Sequence, residues 1–193
     1  KKPIKKAADW LIQRQVKGTW SYTGKGPGDN SIAQFCLLGL KAAKDAGIAV
    51  PDEVFQNSAK HFIGTQNKDG GWSYTGRGAS TQSMTSAALA SLAICDTELE
   101  EALELKNGPR FCGKYKSDAR LQKGIDWLAA SLKKNPLRSY ALPYTAYAIE
   151  RVGIFYDQKL IGGHDWYLSG GQAILQALIG NKSPDKAFRL LFL

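Results

Sequence analysis

The sequence predicts an all-α protein of about four helical hairpins arranged in two concentric layers. Three observations predict it. A Gly-Trp turn is written twice, helical spacing of apolar residues flanks each copy, and amphipathic helices alternate with helices rich in small apolar residues. The turns are "QVKGTWSYTG", ending at Gly24, and "QNKDGGWSYTG", residues 66–76. With Trp20 set on Trp72, Ser21-Tyr22-Thr23-Gly24 falls on Ser73-Tyr74-Thr75-Gly76. Ser31 then meets Ser83, Leu37 meets Leu89 and Leu40 meets Leu92. Ahead of the turn, with one residue lost, Ala8 meets Ala59, Ile12 meets Ile63 and Gln15 meets Gln66. A fixed internal period is the mark of a repeat architecture.

Each unit reads as helix, Gly-rich turn, helix. "IKKAADWLIQRQ" places Ile4, Ala8, Leu11 and Ile12 on one helical stripe, and Lys17-Gly18 ends it. Asp29, Asn30 or Ser31 caps "SIAQFCLLGLKAAKDAG", which Gly47 stops. Pro51 opens the third helix at a first-turn position, with Asp52 and Glu53 suited to its positive end, and that helix runs to about Thr65. "STQSMTSAALASLAICDT" is its partner. A short charged helix and an irregular link over "TELEEALELKNGPRFCGKYKSDA" lead to "LQKGIDWLAASL", where Trp127-Leu128 answers Trp10-Leu11 and Leu132 replaces the Gln. "YALPYTAYAIERVG" is a partner broken or started at Pro143. "FYDQKLIGGHDW" is a loop, "YLSGGQAILQALIG" a fourth outer helix and "SPDKAFRLLFL" a fourth partner. The chain reads as one repeat domain over residues 1–193. Its end at "LLFL", with no cap, is expected to be a truncation or a helix packed back on the core.

Composition narrows the function classes. A chain of 193 residues, 44% hydrophobic and 22% charged, can bury a sizeable core. No apolar run reaches the ~20 residues that cross a bilayer. The net charge of +9 includes Lys1, Lys2, Lys5 and Lys6, but the other basic residues are interleaved with acids. Nucleic acid is therefore not an expected partner. The Glu98-Leu99-Glu100-Glu101 run reads as a solvated helix face. Three cysteines without tight spacing give no disulfide framework, and Cys36 and Cys95 sit in apolar helical runs as inert thiols. No CxxC or HExxH occurs, so no metal and no cofactor is expected. Nothing in the sequence fixes the compartment, cytoplasmic or exported.

Trp10-Leu11-x-x-x-Gln15-x-x-Gly18-x-Trp20, Gln66-x-x-x-Gly70-x-Trp72 and Lys123-Gly124-x-x-Trp127-Leu128 resemble the QW repeat of squalene–hopene and oxidosqualene cyclases. Related repeats occur in protein prenyltransferase β subunits. With "YAIERVG" and "IGGHDWY", the chain is most similar to bacterial prenyltransferase/squalene-oxidase-repeat proteins of unassigned function. The resemblance implies a partial α/α toroid, with inner helices around a central cavity. The cyclases' Asp-x-Asp-Asp string is absent, as is the thioester string Gly-Cys-Gly-Glu-Gln of other toroids. Cys95-Asp96 and His164-Asp165 hold the atom types of the prenyltransferase zinc site in the wrong context. On this reading Trp10, Gln15, Trp20, Gln66, Gly70, Trp72 and Trp127 are structural. Gln bonds free backbone groups near a helix end, and Trp packs over that end.

Candidate functional residues lie later in the chain. His164, Asp165 and Glu150 are the candidates for acid–base work, against a plainer reading in which Asp165 caps the next helix and Trp166 packs into it. Glu150 and Arg151 are expected as a buried pair. Tyr140, Tyr144 and Tyr147, at i, i+4 and i+7, form a stripe that lines a cavity or packs a core; with Arg151, Trp166 and Tyr167 they are the candidate ligand contacts. Lys25 and Arg77 follow the repeated turns, ahead of helix N-termini that favour anions. Two functions follow. One is a non-catalytic module binding an apolar, isoprenoid-like small molecule or a polypeptide in its centre. The other is a terpenoid cyclase or prenyltransferase-type enzyme whose acid or metal ligands are diverged or lie outside this chain; glycan cleavage is a third option. An open arc of four hairpins would be covered by a second copy, the rest of a longer chain or a ligand.

Overall fold

The computed structural model describes residues 1–24, 26, 28–108, 118–135 and 142–179. Among these the protein is all-α, with seven helices and only isolated bridges in place of strands. They are α1 (Lys2–Arg14), α2 (Asn30–Asp45), α3 (Asp52–Thr65), α4 (Gln82–Asn107), α5 (Ala119–Lys134), α6 (Leu142–Phe155) and α7 (Trp166–Ile179). Tyr140, Lys25, Cys112 and the expected fourth partner helix from Ser183 lie outside the described residues.

Helix α4 is the centre of the packing. It lies against α2 and α6 on either hand and against α3 and α5, while α1 packs on α2 and α7 on α6. Composition explains the role. Met84 to Leu92 are buried without a break, because Ala87, Ala88, Ala90, Ser86 and Ser91 are small enough to let helices approach from several sides. By contrast α1 buries only Ala8, and α5 only the stripe Gly124, Leu128 and Leu132. The alternation of fully buried and one-sided helices therefore appears as read from composition.

Several boundaries differ from expectation. Helix α1 stops at Arg14, before Lys17-Gly18, because Gln15 turns out at φ −66°, ψ 128°. Gln66 ends α3 with nearly the same angles, −62° and 128°. Asp29 is the cap of α2 and Thr81 that of α4, each side chain accepting from the amide three residues on. Pro51 is the N-cap of α3 and not its first turn. The charged run after Asp96 is not a separate helix; α4 continues through it to Asn107 and stops at Gly108, φ 76°.

That continuity corrects the reading of the acidic run as a solvated face. Glu98 is 1% exposed. It stands one turn beyond Ile94 on the buried face of α4, opposite the last turn of α2. There Lys44 Nζ lies 2.5 Å and Lys41 Nζ 3.2 Å from its carboxylate oxygens. Lys44 also sits 5.6 Å from the centre of the Phe55 ring. A buried carboxylate needs such partners, and lysines at a helix C-terminus also suit the helix dipole. Glu100 and Glu101 are partly or fully exposed, as expected.

Candidate functional site

The two Gln-Gly-Trp turns make the same joint in its main bonds, and differ in the second partner of the Gln, Ser58 Oγ for Gln15 and the Gly70 carbonyl for Gln66. Gln15 Nε2 donates to the Val54 carbonyl (2.9 Å) and to Ser58 Oγ (3.0 Å) in the first turns of α3. Gln66 Nε2 donates to the Arg120 carbonyl (2.9 Å) at the start of α5. The sequence places the Gln at its own helix end; its far partner is a later helix, α3 for Gln15 and α5 for Gln66. Trp20 Nε1 donates back to the Leu11 carbonyl (2.7 Å) and Trp72 Nε1 to the Phe62 carbonyl (2.8 Å), each near the end of the preceding helix. Gly18 lies so close to α3 that a Cβ would stand 2.2 Å from the Asn57 carbonyl oxygen; at Gly70 it would stand 2.7 Å from the Lys123 oxygen. Both glycines have positive φ, 82° and 94°. The Gln amide nitrogens and the Trp indole nitrogens of both corners all donate to groups that tie helices and turns together.

The "IGGH" stretch is a tight turn. Ile161 and His164 exchange backbone hydrogen bonds of 3.0 and 3.1 Å, as Val16 and Thr19 do at 2.8 and 3.1 Å. Gly162 and Gly163 supply the positive φ that such a turn needs at both central positions. His164 Nε2 is 2.8 Å from Ser169 Oγ, and that hydroxyl donates to the Asp165 carbonyl. Asp165 Oδ1 accepts from the Leu168 amide at 2.8 Å, so Asp165 caps α7. Trp166 is buried, donates to the Gln158 carbonyl (2.7 Å) and lies flat against Gly153, where a Cβ would be 2.3 Å from its ring. Tyr167 meets it edge-on at 5.8 Å and is itself exposed. The serine hydroxyl points its proton at a carbonyl, so the Ser–His contact is not arranged to activate a nucleophile.

A second group lies where α2 and α6 face one another. Tyr144 and Tyr147 both pack on Phe35, the first tilted at 6.0 Å and the second stacked at 6.2 Å with rings 8° apart. The Gln34 amide donates to the Tyr144 hydroxyl. One turn further along α6, Arg151 lies 5.1 Å from the Tyr147 ring centre and 3.0 Å from Glu150 Oε1. The expected Glu150–Arg151 pair is therefore present, inside the helix. Glu150 Oε2 and Arg151 Nε are buried with no hydrogen-bond partner. Burial pushes the Tyr144 phenol up to about 12. Tyr74, beside Asp29 and Tyr22, is pushed to about 12 as well, by burial first and then by those neighbours. Both phenols stay neutral near pH 7. Burial lowers the pKa of His61, which holds Asn30 Oδ1 at 2.9 Å as a neutral ring.

Phe35 and Gln34 were not singled out in the sequence, and Glu98 was read only as part of a solvated run. Phe35 and Gln34 sat inside an apolar run with no pattern of their own, and Asn30 read only as a possible cap. Among the described residues, no group of three or more His, Cys, Asp or Glu side chains could hold a metal ion. None of the described helices is long and apolar enough to cross a membrane. Cys36 and Cys95 are buried free thiols, and burial raises the pKa of each, that of Cys36 to about 12. Arg77 is exposed, and Thr81 already caps the helix that follows it. No protein-family model, curated protein or solved structure matches the chain.

Proposed function

We propose that this protein is a helical-repeat module of the α/α-toroid type that binds an apolar, isoprenoid-like ligand between α2 and α6. The observation that carries the reading is the aromatic group Phe35, Tyr144 and Tyr147, drawn from two helices that flank α4. Phe35 keeps 37% of its surface exposed, so apolar area remains for a ligand. Rings held by neighbours lose little freedom on binding, and apolar contact with them scales with the area covered. The Glu150–Arg151 pair fixes one end of the surface.

The test is calorimetric titration of the full chain with geranylgeraniol, then with an extended apolar peptide. Saturable binding of the alcohol, weakened at least tenfold in Phe35→Ala, is the expected result; a tenfold change is about 1.4 kcal/mol, within reach of one buried aromatic ring. Saturable binding of the peptide alone would make a polypeptide the ligand. Conversion of a polyprenyl diphosphate to a new product would replace binding by turnover. No saturable heat with any of them would end the proposal.

A further inference from the structure

Three outer helices align without a gap. Pro3, Lys6, Ala7 and Trp10 of α1 fall on Val54, Asn57, Ser58 and His61 of α3, and on Arg120, Lys123, Gly124 and Trp127 of α5. Two of these equivalent faces are covered by a preceding corner. On α3 the carbonyl of Val54 receives Gln15, that of Asn57 lies against Gly18, and His61 meets Asn30. On α5 the carbonyl of Arg120 receives Gln66, that of Lys123 lies against Gly70, and Trp127 Nε1 donates to Asp69 Oδ2 at 3.0 Å.

The third face is open. Trp10 is 53% exposed and Ile4 42%, whereas Phe55, the match of Ile4, is fully buried. A hollow of about 500 Å³ runs along this side of α1, past Lys2, Lys6, Trp10 and Gln13. A second, of about 310 Å³, adjoins it at Ser21 and Tyr22. In the next unit the corresponding Ser73 and Tyr74 carbonyls accept from Asn30, through its side chain (2.8 Å) and its amide (2.9 Å), whereas the Ser21 carbonyl accepts from the Gly24 amide of its own turn (3.2 Å). Both hollows therefore stand where a preceding unit would sit.

We propose that the outer face of α1 docks a further helical hairpin of this same repeat, ending in a Gln-x-x-Asp-Gly-Gly-Trp corner. The occupant's chemistry is fixed by the α5 joint. Helices α1 and α5 share Lys-x-x-Asp-Trp-Leu (Lys6 to Leu11 and Lys123 to Leu128), and in α5 this Trp grips the corner's Asp. Lys5 is paired with Asp9 at 2.7 Å, and Lys2 and Lys6 beside them in the hollow favour the same acid on the incoming corner. The surface continues an interface that the chain already makes twice. The inference rests on that equivalence and not on the proposed ligand; because Phe35 lines the second hollow, a docked hairpin and a ligand on the aromatic group share its exposed face.

The test is a fusion with a copy of residues 52–118 placed directly before Lys2, which puts α1 at the distance from the copied corner that α5 has from the original. Trp10 fluorescence is isolated as the difference from a Trp10→Phe partner of each protein. Acrylamide quenching of Trp10 should fall several-fold in the fusion relative to the chain alone. It should return when the copied corner carries Gly70→Val. Equal quenching of Trp10 in fusion and chain overturns the proposal, whether the added residues are helical or unfolded.

Discussion

Glu98 shows how far a single residue can sit from its sequence reading. Its neighbours in the chain are acidic and polar, and its partners Lys41 and Lys44 belong to another unit. The helical phase that buries it becomes visible only once α4 is known to run through the charged stretch. Burial works against the charged Lys41, yet its hydrogen bonds to Asp45 and Glu98 outweigh that and raise its pKa. Lys41 keeps Asp45 and both lysines are partly exposed, so Glu98→Ala should cost about 1–2 kcal/mol in urea denaturation, chiefly through the lost pair with Lys44. Asp96 behaves oppositely. Burial, then the charges of Glu100 and Asp118, raise its pKa from 3.8 to about 6. The folded state therefore favours the protonated acid. That contribution is fully present below pH 3.8 and is lost as pH rises through about 6. Asp96→Asn should thus be more stable than the parent at pH 7, by a margin that vanishes in urea titrations near pH ~4.

At the scale of the element, the corners were the most legible part of the sequence, because one geometric problem recurs and the same letters solve it. Gly is required where the backbone enters left-handed space against a neighbouring helix, as at Gly18 and Gly70. Gly70→Ala should therefore destabilise by about 2–3 kcal/mol, combining a forbidden φ with a clash against the Lys123 carbonyl. Gln66→Ala should cost about 1–2 kcal/mol through two lost hydrogen bonds, to Gly70 and Arg120, measured as a shift in urea midpoint without change of slope. What the letters did not disclose is the direction of the Gln bond, since the next outer helix lies tens of residues downstream. Leu132, where a third Gln would stand, is fully buried and cannot make the bond at all. The worn later units thus differ physically as well as in spelling. In the "GGH" stretch the plainer reading holds: Asp165 caps α7 and Trp166 packs behind it, after a tight turn closed by the paired Ile161–His164 bonds.

At the scale of the whole molecule, the all-α class followed from periodicity and the burial of α4 on all sides from its small residues, while its neighbours α2, α3, α5 and α6 came only with the structure. Of the aromatic group between α2 and α6, the Tyr144–Tyr147 stripe was legible and Phe35 was not, because it joins them from a distant unit and carries no motif. The central claim is that the Gln-Gly-Trp corners are joints between helices and do no chemistry. Native-state hydrogen exchange tests it most directly. The amides of Asn30, bonded to Tyr74, of Trp72, bonded to Thr85, and of Thr81, bonded to Trp72, lie in segments that would ordinarily exchange as loops. If the corners are joints, these amides open only with the core and exchange as slowly as those in the buried half of α4. Exchange at loop rates, while α4 remains protected, would contradict it.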